Sequence, residues 1–128
     1  MKESDLEAPV SRFMRKELRC SSVRRQVPVG LRRIDMVGFR DGEIISIELK
    51  VRDWRGALRQ AWRNRLCSHW SYVALPFRLT QHTIVEEFTR YGIGICAVND
   101  SKVTVTSEPD PSPCLQPFLE PVLQKMRS

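Results

Sequence analysis

Asp35, Glu48 and Lys50 are the residues whose types and spacing could do chemistry. In Ile45-Ser46-Ile47-Glu48-Leu49-Lys50 apolar and polar positions alternate, so Ile45, Ile47 and Leu49 are expected on one face of a strand and Ser46, Glu48 and Lys50 on the other. Asp35 lies between Ile34 and Met36 on the preceding run, and Asp41-Gly42 between the two runs is a hairpin signal. Asp35 and Glu48 each stand about six or seven residues from that turn, which puts them close to opposite one another. Neighbouring carboxylates repel unless something positive lies between them. Lys50 is one answer and a hard divalent cation is another. Magnesium held by one or two carboxylates keeps waters that a phosphate can replace, and the chemistry it suits is phosphodiester hydrolysis. The plainer reading of the same residues is a cross-strand ion pair on a solvated sheet face.

The elements that must position these residues can be read from periodicity. Ser4 and Asp5 are suitable N-caps for a first helix over about 5–18, in which Leu6, Val10, Phe13, Met14 and Leu18 recur at helical spacing and Pro9 falls early. Three short runs follow, Val23 to Val27, Arg32 to Phe39 and Glu43 to Lys50, as an antiparallel meander. A second helix begins after Arg52, with Leu58, Ala61, Trp62 and Leu66 as its apolar stripe and Trp62 expected in the core. Then come a short buried strand, Ser71 to Leu75, and a helix, Thr80 to Tyr91, stopped by Gly92. Ile93 to Val98 and Lys102 to Thr106 form two strands around Asn99-Asp100, and Leu115 to Met126 forms a last helix despite Pro117 and Pro121. The order α-β-β-β-α-β-α-β-β implies an α/β fold with a mixed central sheet flanked by helices. With 128 residues one domain is expected: a main unit over 1–106, then a proline-rich linker and C-terminal helix over 107–128 packing on the same domain. Phe118, Leu119, Val122 and Leu123 of that helix would either form an interface or close the core.

Asp35, then twelve residues, then Glu48-Leu49-Lys50, after an acidic first helix and before a helix containing Gln60, resembles the PD-(D/E)XK nuclease superfamily. The stretches Glu3-Ser4-Asp5-Leu6, Asp35-Met36-Val37, Ile47-Glu48-Leu49-Lys50, Gln60 and Tyr72-Val73-Ala74-Leu75-Pro76 are similar to uncharacterised phosphodiesterase-like members of that group, over about residues 3–98. Ile34 stands where proline often precedes the first acid. The resemblance implies a restriction endonuclease-like α-β-β-β-α-β core. It implies that Asp35, Glu48 and the backbone carbonyl of Leu49 hold Mg2+, or Mn2+ in its place. Lys50 would orient the attacking water or stabilise transition-state charge. Gln60 would stand beside Lys50, and the helix-one acid would be Glu3 or Glu7, which share a helix face.

Charge places a partner near these residues. The net charge is +6, and residues 1–65 hold 16 basic against 9 acidic side chains whereas 66–128 hold 5 against 6. Arg55, Arg59 and Arg63 recur at helical spacing after the proposed site, and Arg24, Arg25, Arg32 and Arg33 lie on the strands before it. Arg33, Arg55, Arg59 and Arg63 are therefore expected to grip the phosphate backbone of DNA. A homodimer presenting two sites would cover more of a duplex than one protomer. The alternative function is a nuclease-like scaffold that binds nucleic acid or protein without chemistry.

Other classes fit poorly. The composition, 41% hydrophobic and 28% charged with 6 Gly and 8 Pro, excludes collagen-like and wholly disordered chains. Cys20, Cys67, Cys96 and Cys114 are 47, 29 and 18 residues apart, without zinc-knuckle spacing. Gly92-Ile93-Gly94 lacks the later glycine of a nucleotide loop, so no nucleotide cofactor is expected. His69 and His82 have no metal-spaced partner. No apolar run suggests a signal peptide or membrane span, and a cytoplasmic protein with reduced thiols is expected.

Overall fold

The computed structural model describes residues 1–113 and 116–127; Cys114 and the side chain of Phe118 lie outside the described residues. Helix α1 (Ser4–Lys16) leads into β1 (Ser22–Val29), β2 (Arg32–Arg40) and β3 (Glu43–Leu49). These are followed by α2 (Trp54–Asn64), β4 (Trp70–Pro76), a 3-10 turn (Phe77–Leu79), α3 (His82–Arg90), β5 (Gly94–Asn99), β6 (Lys102–Ser107) and α4 (Gln116–Arg127). The strands form one six-stranded sheet in sequence order, antiparallel except for the parallel pairs β3/β4 and β4/β5. The expected element order and mixed sheet are therefore observed.

Local chemistry accounts for the element ends. Asp41 and Gly42 both take positive φ, 49° and 81°, which is the backbone of a two-residue hairpin matched to strand twist. Asp53 caps α2 by accepting a hydrogen bond from Gly56 N–H at 3.0 Å. Helix α1 starts at Ser4 without a side-chain cap, and Asp5 instead accepts from the Lys2 N–H at 2.8 Å. Pro9 falls in the second turn of α1, where the carbonyl of Asp5 loses its helical donor.

Two layers of helix enclose the sheet. On one face Leu6, Val10, Phe13 and Met14 of α1 pack on Met36, Ile45, Ile47 and Leu49, with Tyr72, Ala74 and Cys96 beyond. Gly38 permits this approach, since a Cβ there would lie 2.5 Å from Cys20 Sγ. On the other face Ala57, Leu58 and Ala61 of α2 and Ile84 and Phe88 of α3 cover Val73, Leu75, Ile93 and Ile95. Helix α4 buries Val122, Leu123 and Met126 over Val27, Ile34, Val37 and Ile44, so it closes the core. Cys20, Cys67 and Cys96 are buried. Among the described residues no helix is long and apolar enough to cross a membrane.

The apolar stripe of α2 differs from the expected one. Its buried positions are Ala57, Leu58, Ala61 and Asn64, whereas Trp62 is 51% and Leu66 39% exposed. Two alanines let the helix approach the sheet closely, and Trp62, about 100° further round than Ala61, faces outward.

Candidate active site

The carboxylates meet where β2 and β3 part. The β2/β3 ladder runs from Arg40↔Glu43 to Met36↔Ile47, and the same register carried one step further sets Asp35 against Glu48. At that step the Leu49 N–H donates to Asp35 Oδ2 at 2.8 Å, so a side chain takes a main-chain donor at the end of the ladder. Gln26 on β1 donates a longer bond, 3.4 Å, to Asp35 Oδ1.

Glu48 does not face water. Helix α2 lies over its side of β3, leaving Glu48 2% exposed and Ser46 wholly buried. Asn64, 1% exposed at the end of α2, donates from Nδ2 to Glu48 Oε2 at 2.8 Å and accepts at Oδ1 from Arg32 Nη1 at 3.4 Å. Below it, Ser46 and Ser68 share a hydrogen bond of 2.9 Å, and Ser71 donates to the carbonyl of Ala61 at 2.6 Å. The polar side of β3 is thus a dry, hydrogen-bonded interior. Burial first, and then the negative charge of Asp35, push the Glu48 carboxyl up from its ordinary 4.5 to about 7, while the Asn64 N–H opposes the rise.

Lys50 is the first residue beyond β3. Its N–H donates to the Ala74 carbonyl at 3.1 Å, and its Nζ lies 3.8 Å from Glu3 Oε2. Glu7 turns to Arg25 instead, at 2.9 Å. Of the two helix-one acids, Glu3 therefore reaches the lysine. Gln60 occupies the sheet-facing side of α2 one turn before Asn64, but its Oε1 is buried with no hydrogen-bond partner.

The arginines separate into two groups. Arg33 is exposed on β2 two residues before Asp35, Arg32 touches Asn64, and Arg78 donates to the Val51 carbonyl beside Lys50 at 2.9 Å. Arg55, Arg59 and Arg63 project from the opposite side of α2 and line a groove against α3 that contains none of Asp35, Glu48 or Lys50. Helical spacing sets Arg55, Arg59 and Arg63 about 180°, 140° and 100° round α2 from Asn64, so the ridge expected beside the carboxylates lines the α3 groove instead. Asn64, absent from the sequence-based site, is the residue that links α2 to Glu48. Its spacing from Gln60, one helical turn, was the available signal.

Among the described residues no three His, Cys, Asp or Glu side chains converge as a metal-holding group. Asp35 and Glu48 with a main-chain carbonyl are nevertheless an all-oxygen donor set of the kind magnesium accepts, the remaining positions being filled by water and phosphate. Buried Glu48 beside half-buried Asp35 also carries a charge conflict, its carboxyl being pushed up by burial and by Asp35, that a dication would relieve. The residues present fit a hard divalent cation.

No family model matches this chain, and no curated protein matches it. Among solved structures it is similar to a protein of unknown function from Silicibacter pomeroyi, at 16% identity and a TM-score of 0.75, covering 99% of this chain and 84% of that one. That likeness extends the fold over nearly the whole chain.

Proposed function

We propose that this chain is a magnesium-dependent nuclease with a restriction endonuclease-like core, hydrolysing phosphodiester bonds of DNA. The observation that carries the reading is the meeting of Asp35 and Glu48 at the parting of β2 and β3, two residues before Lys50. Asp35, Glu48 and the Leu49 carbonyl would hold Mg2+ or Mn2+, which when bound supplies Lewis-acid polarisation of the phosphate.

The chain's own residues then have distinct tasks. Asn64 holds the Glu48 carboxylate in one orientation, and the Leu49 N–H does the same for Asp35. The ammonium of Lys50, released from its long 3.8 Å contact with Glu3, hydrogen-bonds the attacking water or the phosphoryl oxygen on which charge accumulates. Water attacks phosphorus and gives up one proton to solvent, the bond to the leaving sugar oxygen breaks, and that oxygen takes up one proton from solvent. Arg32 and Arg33 on β2 and Arg52 and Arg78 beyond Lys50 form the basic rim that receives the backbone.

The test is incubation of the purified chain with linear, branched and single-stranded DNA and with RNA, with Mg2+ or Mn2+ and with EDTA. Metal-dependent product is expected from DNA, and Asp35→Ala and Lys50→Ala should each lower the rate by about 10²-fold or more. Equal product from wild type and both folded variants would sink the reading.

A further inference from the structure

The groove between α2 and α3 is unused by the proposed chemistry. It measures about 900 Å³, and its lining includes Trp54, Leu58, Trp62 and Tyr91. Trp62 is 51% and Tyr91 45% exposed, a large aromatic surface for so small a chain. One wall carries Arg55, Arg59 and Arg63 and the other Glu86 and Glu87. Helix α4 does not cover this face, because its Val122, Leu123 and Met126 are buried over the β1/β2 side of the sheet.

The charge pattern says what fits. A basic ridge alone would repel its own copy, and an acidic one would do the same. Side by side they become self-complementary under a two-fold axis, which sets each copy's basic wall against the other's acidic wall. A nucleic acid fits less well, since Glu86 and Glu87 would face its phosphates. Within the chain Glu86 pairs with His82 at 2.7 Å and Glu87 with Arg90 at 3.0 Å, and Arg55 lies over the Trp54 ring at 4.3 Å. Both contacts are exposed and weak, so they can be exchanged for partners on a second copy.

We propose that two copies of this chain pair through the α2–α3 groove, Trp62 of each entering the groove of the other while the α2 arginines of each meet the α3 glutamates of the other. This assignment is independent of the carboxylate site. Two helices of 11 and 9 residues make a small face, so association is expected to be weak and to depend on protein concentration.

Sedimentation equilibrium tests it, from about 1 to 300 µM protein, a range set by that interface size. The mass is expected to rise from 14.9 kDa toward twice that value. Arg59→Glu and Glu86→Arg should each weaken association at least about tenfold, because each sets like charges together. The double variant Arg59→Glu/Glu86→Arg exchanges the walls and should regain association. Trp62→Ala should weaken it without altering the circular dichroism of the folded chain, since that ring is half exposed. A wild-type mass of 14.9 kDa throughout overturns the proposal, as does a double variant no better than either single. If the mass is constant and Trp62→Ala instead lowers affinity for a labelled oligonucleotide, the groove is a nucleic-acid surface and the dimer is refuted.

Discussion

Where β2 and β3 part, Glu48 is buried and Asp35 half-buried, and the donors around them come from the protein: Leu49 and Gln26 for Asp35, Asn64 for Glu48. In the groove between α2 and α3 Trp62 and Tyr91 are exposed, and Glu86 and Glu87 pair with near neighbours on their own helix. Helix α2 belongs to both regions. It turns the polar Asn64 inward and the apolar Trp62 outward, reversing the ordinary partition between core and surface. Each reversal has a cost that packing alone does not explain. The inward amide is accounted for by a carboxylate that needs a donor, and the outward indole would be accounted for by the proposed second copy.

If the two regions have these separate roles, variants should separate them. The largest effect is expected from Glu48→Gln, which should abolish metal-dependent cleavage, about 10²-fold or more, while leaving the sedimentation mass as in wild type. A parallel loss of association would show that cleft and groove are not independent.

The next effect is on stability against pH without divalent cations. Because the folded Glu48 carboxyl titrates near 7 and the unfolded one near 4.5, the fold binds more protons between these values. Stability should therefore fall as pH rises from about 4.5 to 7, by at most about 3 kcal/mol. In urea titrations Glu48→Gln should flatten that slope, and Arg59→Glu, on the far side of α2, should leave it unchanged. Added Mg2+ should restore stability chiefly at the upper end of the window, because it favours the ionised pair.

Asn64→Leu comes third. Removing the amide leaves Glu48 buried without its donor and should cost about 2 kcal/mol, more at pH 8 than at pH 5 because the ionised carboxylate needs the bond most. The smallest effect is expected for Glu7→Gln, which breaks a 2.9 Å pair whose side chains are 26% and 51% exposed, at a cost under about 1 kcal/mol. A larger loss would mean that Glu7 contributes to the cleft after all.

Much of the frame was legible along the chain. The alternation in Ile45-Ser46-Ile47-Glu48-Leu49 and the Asp41-Gly42 turn led to the strand, its hairpin and its register, because these depend on local backbone preferences and a two-residue period. Helix α2 was legible as a helix but not in its orientation. Counting Trp62 as core followed residue type, whereas the small size of Ala57 and Ala61 decided which side could approach the sheet. The choice between Glu3 and Glu7 was equally open, since both lie on one helix face. Where α1 crosses the sheet decided it, bringing Glu3 to Lys50 and Glu7 to Arg25.

By itself the sequence determined the element order, the strand carrying Glu48 and its pairing with the strand of Asp35, all of which follow from short-range periodicity and turn chemistry. Only the tertiary structure decided that the Glu48 face is dry rather than wet. It also supplied Asn64 as the donor and put the α2 arginines behind the carboxylates instead of beside them. Those outcomes depend on which side of a helix meets a sheet, and that is settled by the fit of side chains brought together from distant parts of the chain.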